Sequence, residues 1–351
     1  MRLSAWLGAA LLALQILGAA QAAPADAGAE TRRAFLKIVE RPKPALKHEL
    51  EEKPTVNGIR KQHLWFQSDK TERVPGYLLL PKAAEFQGRR PVVIALHGTG
   101  GNKDDELVAG ILWKAVNLGF IGVAIDGRFH GERTKAGSGT EEYIEAISTA
   151  FRTGEGHPFY YDTVWDVTRL IDYLVTRKDV DPKRIGLTGI SKGGIETYLA
   201  TAVDKRIAAA VPYIGVQSFK WALDNGQWRA RVLTIEDAFT LSASLAGKSP
   251  RSADFAREFY AKIVPGIDGK FDGPAMLPLI APRPLLVVNG DSDANTPIAG
   301  VRLAVRAAEP VYAAAKAADR LKLIVQEDTA HHVNSESVDA GIAWFVSYLK
   351  P

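Results

Sequence analysis

Hydrophobic positions along this chain fall into short unbroken blocks, and blocks of strand length alternate with stretches of helical period. PVVIAL (91–96), FIGVAI (120–125), RIGLT (184–188), IAAAVPY (207–213), PLLVVN (284–289) and LKLIVQ (321–326) are apolar with no alternation. Such runs suit strands buried on both faces. QHLWFQS (62–68) and VPGYLLL (74–80) precede them as a pair of strands. Between the blocks, residues 106–118, 141–151, 160–176, about 193–204, 298–318 and about 335–350 predict helices. In 160–176, Val164, Val167, Ile171 and Leu174 recur on one face, as Val338, Ile342, Phe345, Val346 and Leu349 do in the closing helix. The alternation predicts the α/β class: a mostly parallel, doubly wound sheet with right-handed crossovers.

Two regions break the rhythm. Residues 214–281 carry Trp221, Trp228, Phe239, Phe255, Phe259 and Phe271 among helix-prone polar segments, and are expected to form a helical cap inserted over the sheet. Residues 23–61 are rich in Ala, Pro, Lys and Glu without a clear period. They predict an exposed N-terminal extension with one short helix around 34–40. Ahead of them, Met1-Arg2 is followed by the uncharged run LSAWLGAALLALQILGAA and by Ala20-Gln21-Ala22. This is the layout of a secretory signal cleaved near Ala22. Gln15 and several Ala and Gly weaken the same run as a spanning helix, so stable membrane insertion is not expected. The division is therefore a signal peptide (1–22), an extension (23–61) and a catalytic domain (62–351). The expected location is periplasmic or secreted.

Composition narrows the chemistry. The chain has 351 residues, a formal net charge of +4 and no cysteine. The absent cysteine excludes a disulfide framework, thiolate metal sites and a cysteine nucleophile. Basic and acidic residues are interspersed, which argues against a nucleic-acid partner. Neither H-x-x-H nor H-E-x-x-H occurs, so no metal site is expected.

Gly189-Ile190-Ser191-Lys192-Gly193 matches G-x-S-x-G between a predicted strand and a predicted helix, the context in which that motif presents a nucleophile. A serine hydroxyl needs a base to take its proton. Of seven histidines only His331 and His332 follow Ser191, and in this architecture the acid and then the histidine follow the serine. His331 is favoured, since it follows the last strand after a short loop; His332 is the alternative. The acid lies after strand 284–289, where Asp291 and Asp293 both stand. Asp293 is favoured because it stands four before Pro297, a D-x-x-x-P spacing that recurs at this place in such enzymes. Asp291 reads otherwise as a turn cap. An oxyanion hole needs two preorganised amides: that of Lys192, after the nucleophile, and one from His97-Gly98-Thr99-Gly100-Gly101, where Thr99 is favoured over Gly100. Arg128 and His130 in GRFHGER are expected to support that loop. Trp221 and Trp228 are candidates for a substrate pocket. Asp166 and Asp172 are expected to be solvated or ion-paired.

Together LHGTGGNKDD, AIDGRFHGER, DVDPKRIGLTGISKGG, PLLVVNGDSDANTP and the AHH loop resemble the α/β-hydrolase superfamily, in its dienelactone-hydrolase, acetyl-xylan-esterase and prolyl-oligopeptidase-like branch. The resemblance covers about residues 74–350. It implies an α/β-hydrolase fold and a serine esterase acting on small-molecule or carbohydrate esters, short acyl or acetyl esters above all, with no cofactor. Dienelactone hydrolases carry cysteine at the elbow, so their lactonase activity is not carried over. A serine peptidase is the alternative, although too few residues precede the domain for the β-propeller of prolyl oligopeptidases. A non-catalytic binding protein of this fold would have a broken triad. A dehydrogenase reading of Thr188-Gly189-x-x-x-Gly193 and of Tyr312 and Lys316 fails, because Ile195 replaces the third glycine and the turn does not start the fold. Tyr312 and Lys316 then read as a surface pair. Oligomeric state is not legible.

Overall fold

The computed structural model describes residues 25–82, 88–135, 139–157 and 159–350. The signal-peptide segment 1–22 lies outside the described residues. Nine strands form one sheet: β1 (Glu49–Val56), β2 (Ile59–Gln67), β3 (Arg73–Leu80), β4 (Arg90–Leu96), β5 (Ile121–Ile125), β6 (Val180–Ile190), β7 (Ile207–Tyr213), β8 (Leu285–Gly290) and β9 (Leu321–Gln326). Their order is β1-β2-β3-β5-β4-β6-β7-β8-β9. The pairs β1–β2, β2–β3 and β3–β5 are antiparallel and the rest parallel. Chain order reverses at β4, so connections from β4 and β6 leave in opposite directions. A crevice therefore opens between the carboxyl ends of these two strands, where ligands bind in such sheets.

The layers follow from the apolar blocks. Val93, Ala95, Ala209, Val211, Leu286 and Val288 face helices α2 (Glu106–Asn117) and α12 (Ser335–Leu349). Val92, Ile94, Ile185, Leu187 and Leu285 face the opposite layer. That layer holds α3 (Gly139–Thr153), α4 (Tyr161–Leu174), α5 (Lys192–Val203) and α11 (Ile298–Ala314). The sheet is thus covered on both faces, as its unbroken strands require. Strand β6 begins at Val180, four residues earlier than its apolar block indicates. The extra segment crosses a register shift between Arg90 and Val92 of β4, so polar residues there escape the buried pattern.

The insertion is helical: α6 (Phe219–Asp224), α7 (Trp228–Val232), α8 (Glu236–Leu245), α9 (Ala253–Ile263) and α10 (Gly273–Met276). It is fastened to α3 by aromatic contacts, with Phe151 5.5 Å from Phe255 and Phe239 5.0 Å from Phe255, centroid to centroid. No helix among the described residues is long and apolar enough to cross a membrane.

Two expectations need correction. The N-terminal extension is not simply an exposed segment with a short helix. It forms α1 (Ala25–Val39) and β1, and α1 buries Phe35 edge-on against Tyr161 (4.8 Å) and Phe271 (5.1 Å). Arg32 Nη2 donates to the carbonyls of Ala202 (2.9 Å) and Leu279 (3.1 Å). Strand β1 is an edge with nearly every residue exposed, so it has no apolar alternation to betray it. Tyr312, expected on the surface beside Lys316, is buried, and its hydroxyl donates to Arg283 O at 2.6 Å.

Candidate active site

Ser191 sits between β6 and α5 with φ +55°, a strained left-handed conformation held by the surrounding packing. The turn closes so tightly that a Cβ on Gly189 would lie 2.3 Å from Gly193 O, and one on Gly193 would lie 2.5 Å from Leu96 O. Only glycine fits at either position. Ser191 N donates to Tyr213 O at 3.0 Å, which ties the elbow to β7.

Three side chains from three strand ends meet here. His331, after β9, contacts Ser191 Oγ through Nε2 at 2.8 Å and Asp293 Oδ2 through Nδ1 at 2.8 Å. Asp293, after β8, is buried, and its Oδ1 accepts from the amides of Asn295 (2.8 Å) and Thr296 (3.0 Å). Burial pushes the Asp293 pKa up, but the His331 hydrogen bond and charge and the Thr296 amide outweigh it. The carboxyl is held below the ordinary aspartate value. An ionised carboxylate on Nδ1 fixes the tautomer that leaves Nε2 free to accept from the serine.

The two alternatives lie elsewhere. Asp291 accepts from Ser292 Oγ (2.9 Å) and from the amides of Asp328 (3.1 Å) and Thr329 (3.2 Å), so it caps the turn after β9. The His332 side chain is exposed, and its backbone carbonyl accepts from Gln326 Nε2 at 2.8 Å.

The loop after β4 brings Thr99 to the same cleft as Ser191. The Gly100 amide, the other candidate donor, already donates to His130 Nε2 at 3.1 Å. His130 Nδ1–H donates in turn to Arg128 O at 2.7 Å. Gly127 N likewise donates to His97 Nε2 at 2.9 Å. Both rings are therefore neutral. Burial, then the nearby Lys192 charge, push the His130 pKa down to about 3 and that of His97 well below the ordinary imidazole value. Lys103 Nζ pairs with the buried Asp126 at 3.1 Å and ties the loop down further. Arg128 binds both Asp166 oxygens at 3.1 Å, and Arg133 adds a third contact at 2.7 Å. Burial raises the Asp166 pKa, but Arg128 and Arg133 hold it well below the ordinary value. Asp172 is ion-paired too, with Lys43, Arg169 and Arg206. The Lys192 side chain is buried with Glu196, Nζ to Oε1 2.7 Å, which leaves its backbone at the elbow.

The cleft over Ser191 is narrow, with a free volume of about 20 Å³. Besides the residues above it is lined by Tyr160, Ile195, Ile214, Gln217, Ala230 and Arg231. Neither candidate tryptophan is in that lining. Trp221 borders a separate depression with Ser218, Asp224, Asp272 and Leu303, and Trp228 packs against Phe239 at 6.1 Å. Sequence reasoning missed Tyr160, Gln217 and Arg231. They belong to no motif: Tyr160 stands at the start of α4, and Gln217 and Arg231 come over the serine from the inserted segment. Among the described residues no group of three or more His, Asp or Glu is placed to hold a metal ion.

The chain is similar to known esterases in sequence and in fold. The family model described as acetyl xylan esterase (AXE1) matches residues 33–227, and that for fungal glucuronyl esterase matches residues 154–315. The chain is 27% identical to YtaP of Bacillus subtilis over 264 residues, 72% of this chain and 76% of that protein. It is 29% identical to the acetyl esterase Axe7A of Xylanibacter ruminicola over 158 residues, 42% of this chain and 34% of that protein. The crystal structure of acetyl xylan esterase 1 from Thermoanaerobacterium sp. superposes with a TM-score of 0.67 at 18% identity, covering 92% of this chain and 93% of that one. With the AXE1 match spanning more than half of its length, the chain belongs to the acetyl xylan esterase family of the α/β-hydrolase superfamily and is a carboxylic ester hydrolase.

Proposed function

We propose that this protein is an exported serine esterase that removes short acyl groups, acetyl above all, from carbohydrate or other small-molecule alcohols. The reading rests on one observation: His331 bridges Ser191 Oγ and the Asp293 carboxylate with two 2.8 Å contacts. Ser191 Oγ attacks the ester carbonyl while His331 Nε2 takes its proton. The amides of Lys192 and Thr99 hold the tetrahedral oxyanion. Its collapse forms the acyl-enzyme, and His331 returns the proton to the departing alcohol. Water then attacks the acyl-enzyme with His331 again as base and releases the acid. The acetyl preference is supported by the narrow cleft, by the family and by the name of the relative Axe7A. Export is supported by the leader-like residues 1–22; N-terminal sequencing of the mature protein should begin at Ala23.

Paired substitutions test the assignment. Ser191→Ala should abolish p-nitrophenyl acetate turnover and labelling by a fluorophosphonate. Asp293→Asn should lower kcat on the order of 10⁴-fold, whereas Asp291→Asn should leave it within a few-fold of the parent. Equal losses at the two aspartates, or labelling of another residue, would overturn the assignment.

A second reading follows from the match of residues 154–315 to the glucuronyl esterase model. There the scissile ester is formed by the sugar acid's own carboxyl. Turnover of a methyl glucuronate at the same serine, faster than of acetylated xylo-oligosaccharides, would favour it.

A further inference from the structure

Arg231 is a buried cation without a counter-ion. Its residue is 6% exposed, and it lines the cleft that holds Ser191 and His331. Its Nε is sealed from solvent without a partner, and neither Nη hydrogen-bonds to the described residues. The guanidinium lies over the Phe219 ring at 5.4 Å. The hydroxyls of Tyr160, Tyr198 and Tyr260 lie near enough to influence it, and none is hydrogen-bonded to the guanidinium. The one carboxylate that influences it, Asp293, is already engaged by His331 and two amides. Burial lowers the Arg231 pKa, yet a guanidinium does not surrender its proton in proteins. Buried charges are otherwise paired, as Arg128, Arg133 and Lys192 are in this same chain. An arginine left bare in a catalytic cleft lacks its ligand.

We propose that Arg231 is the anion-binding residue of this site, so that the preferred substrates are esters carrying a carboxylate close to the scissile bond. This rests on the esterase reading of Ser191 and narrows its substrate class. A carboxylate fits better than a phosphate. The cleft offers a single uncompensated positive charge, and the planar guanidinium fork matches a carboxylate bidentately. A phosphate dianion would need a second cation, but Lys192 is committed to Glu196. Gln217 lines the same cleft with a buried, unpartnered Oε1. That acceptor suits a hydroxyl next to the carboxylate, as in an O-acylated sugar acid or hydroxy acid.

The test compares matched esters that differ only in that charge. One arm uses an O-acetylated sugar acid and its primary amide, with the carboxylate on the alcohol side. The other uses the p-nitrophenyl half-ester of succinic acid and the corresponding succinamide ester, with the carboxylate on the acyl side. In the parent enzyme, kcat/KM for the acid over the amide should be about 10- to 100-fold in one arm, the range of a charged hydrogen-bonded pair. The arm that shows it locates the carboxylate. In Arg231→Gln the ratio should collapse towards one, and Tm should rise or hold, because an uncompensated buried charge has been removed. Arg231→Lys, which keeps the charge without the fork, should retain part of the ratio. A parent ratio near one in both arms would overturn the proposal. So would a ratio that survives Arg231→Gln, or a fall in Tm with equal losses on both members of each pair, which marks a structural arginine. Failure of the underlying reading is separate: it would appear as turnover of p-nitrophenyl acetate by Ser191→Ala.

Discussion

At the scale of single residues, the site depends on side chains held in one protonation state by their neighbours. His130 is the clearest case. Its ring is neutral in the fold because Gly100 N donates to Nε2 while Nδ1–H donates to Arg128 O. Burial and the Lys192 charge push its pKa from 6.5 down to about 3. In the unfolded chain the same ring gains a proton below about 6.5. Between these values the unfolded state binds more protons, so stability present above pH 6.5 is lost as pH falls towards 3. One histidine contributes a slope of about 1.4 kcal/mol per pH unit over that window. His130→Asn should therefore flatten the dependence of unfolding free energy on pH by about one proton between about pH 6 and 4, read from denaturant titrations. An unchanged slope would mean that His130 titrates alike in both states. His130 and Arg128 also tie down the loop after β4. His130 occupies the Gly100 amide and leaves Thr99 facing the cleft, while Arg128 is anchored by the buried Asp166.

At the scale of elements, legibility tracked burial. Strands β4 to β8, buried on both faces, announced themselves as apolar runs, as did the half-buried edge strand β9, and the elbow was legible because its glycines answer to a local steric demand. Ser191, Asp293 and His331 could be placed together because each stands just past the end of such a strand. The edge strand β1 carries no apolar stripe, and α1 hides Phe35 and Val39 at the end of a helix whose earlier residues, 25–34, include no large apolar side chain. Arg231 was illegible for another reason. A charged residue in a short amphipathic helix reads as solvated, and only the tertiary position of α7 encloses it. The burial of α1 makes a direct claim: the extension is part of the core. Phe35→Ala leaves a cavity beside Tyr161 and Phe271 and should cost about 3–5 kcal/mol in denaturant unfolding. A loss below about 1 kcal/mol would mean that α1 is a detachable arm.

At the scale of the whole molecule, the sheet and the cap do different work. The sheet brings Ser191, His331 and Asp293 together at the crevice where chain order reverses. The cap closes over them with Ala230 and Arg231 of α7, and α5 supplies Ile195 from below. The space left, about 20 Å³, exceeds only slightly the 10–15 Å³ or so that one water requires. An acetyl methyl fits where a single water would. For an uncharged acyl chain, which gains nothing from Arg231, each further methylene must displace packed side chains, at about 1–3 kcal/mol where the wall does not yield. In a p-nitrophenyl series, kcat/KM should therefore fall by about tenfold or more from acetate to butyrate. Ile195→Ala removes atoms from the wall without touching Ser191, His331 or Asp293, and should move the optimum towards butyrate. A profile flat from acetate to hexanoate in the parent enzyme would show that α7 swings away during turnover. The size limit would then belong to the closed form alone, and the chemistry of Arg231 rather than the volume of the cleft would govern which esters are taken.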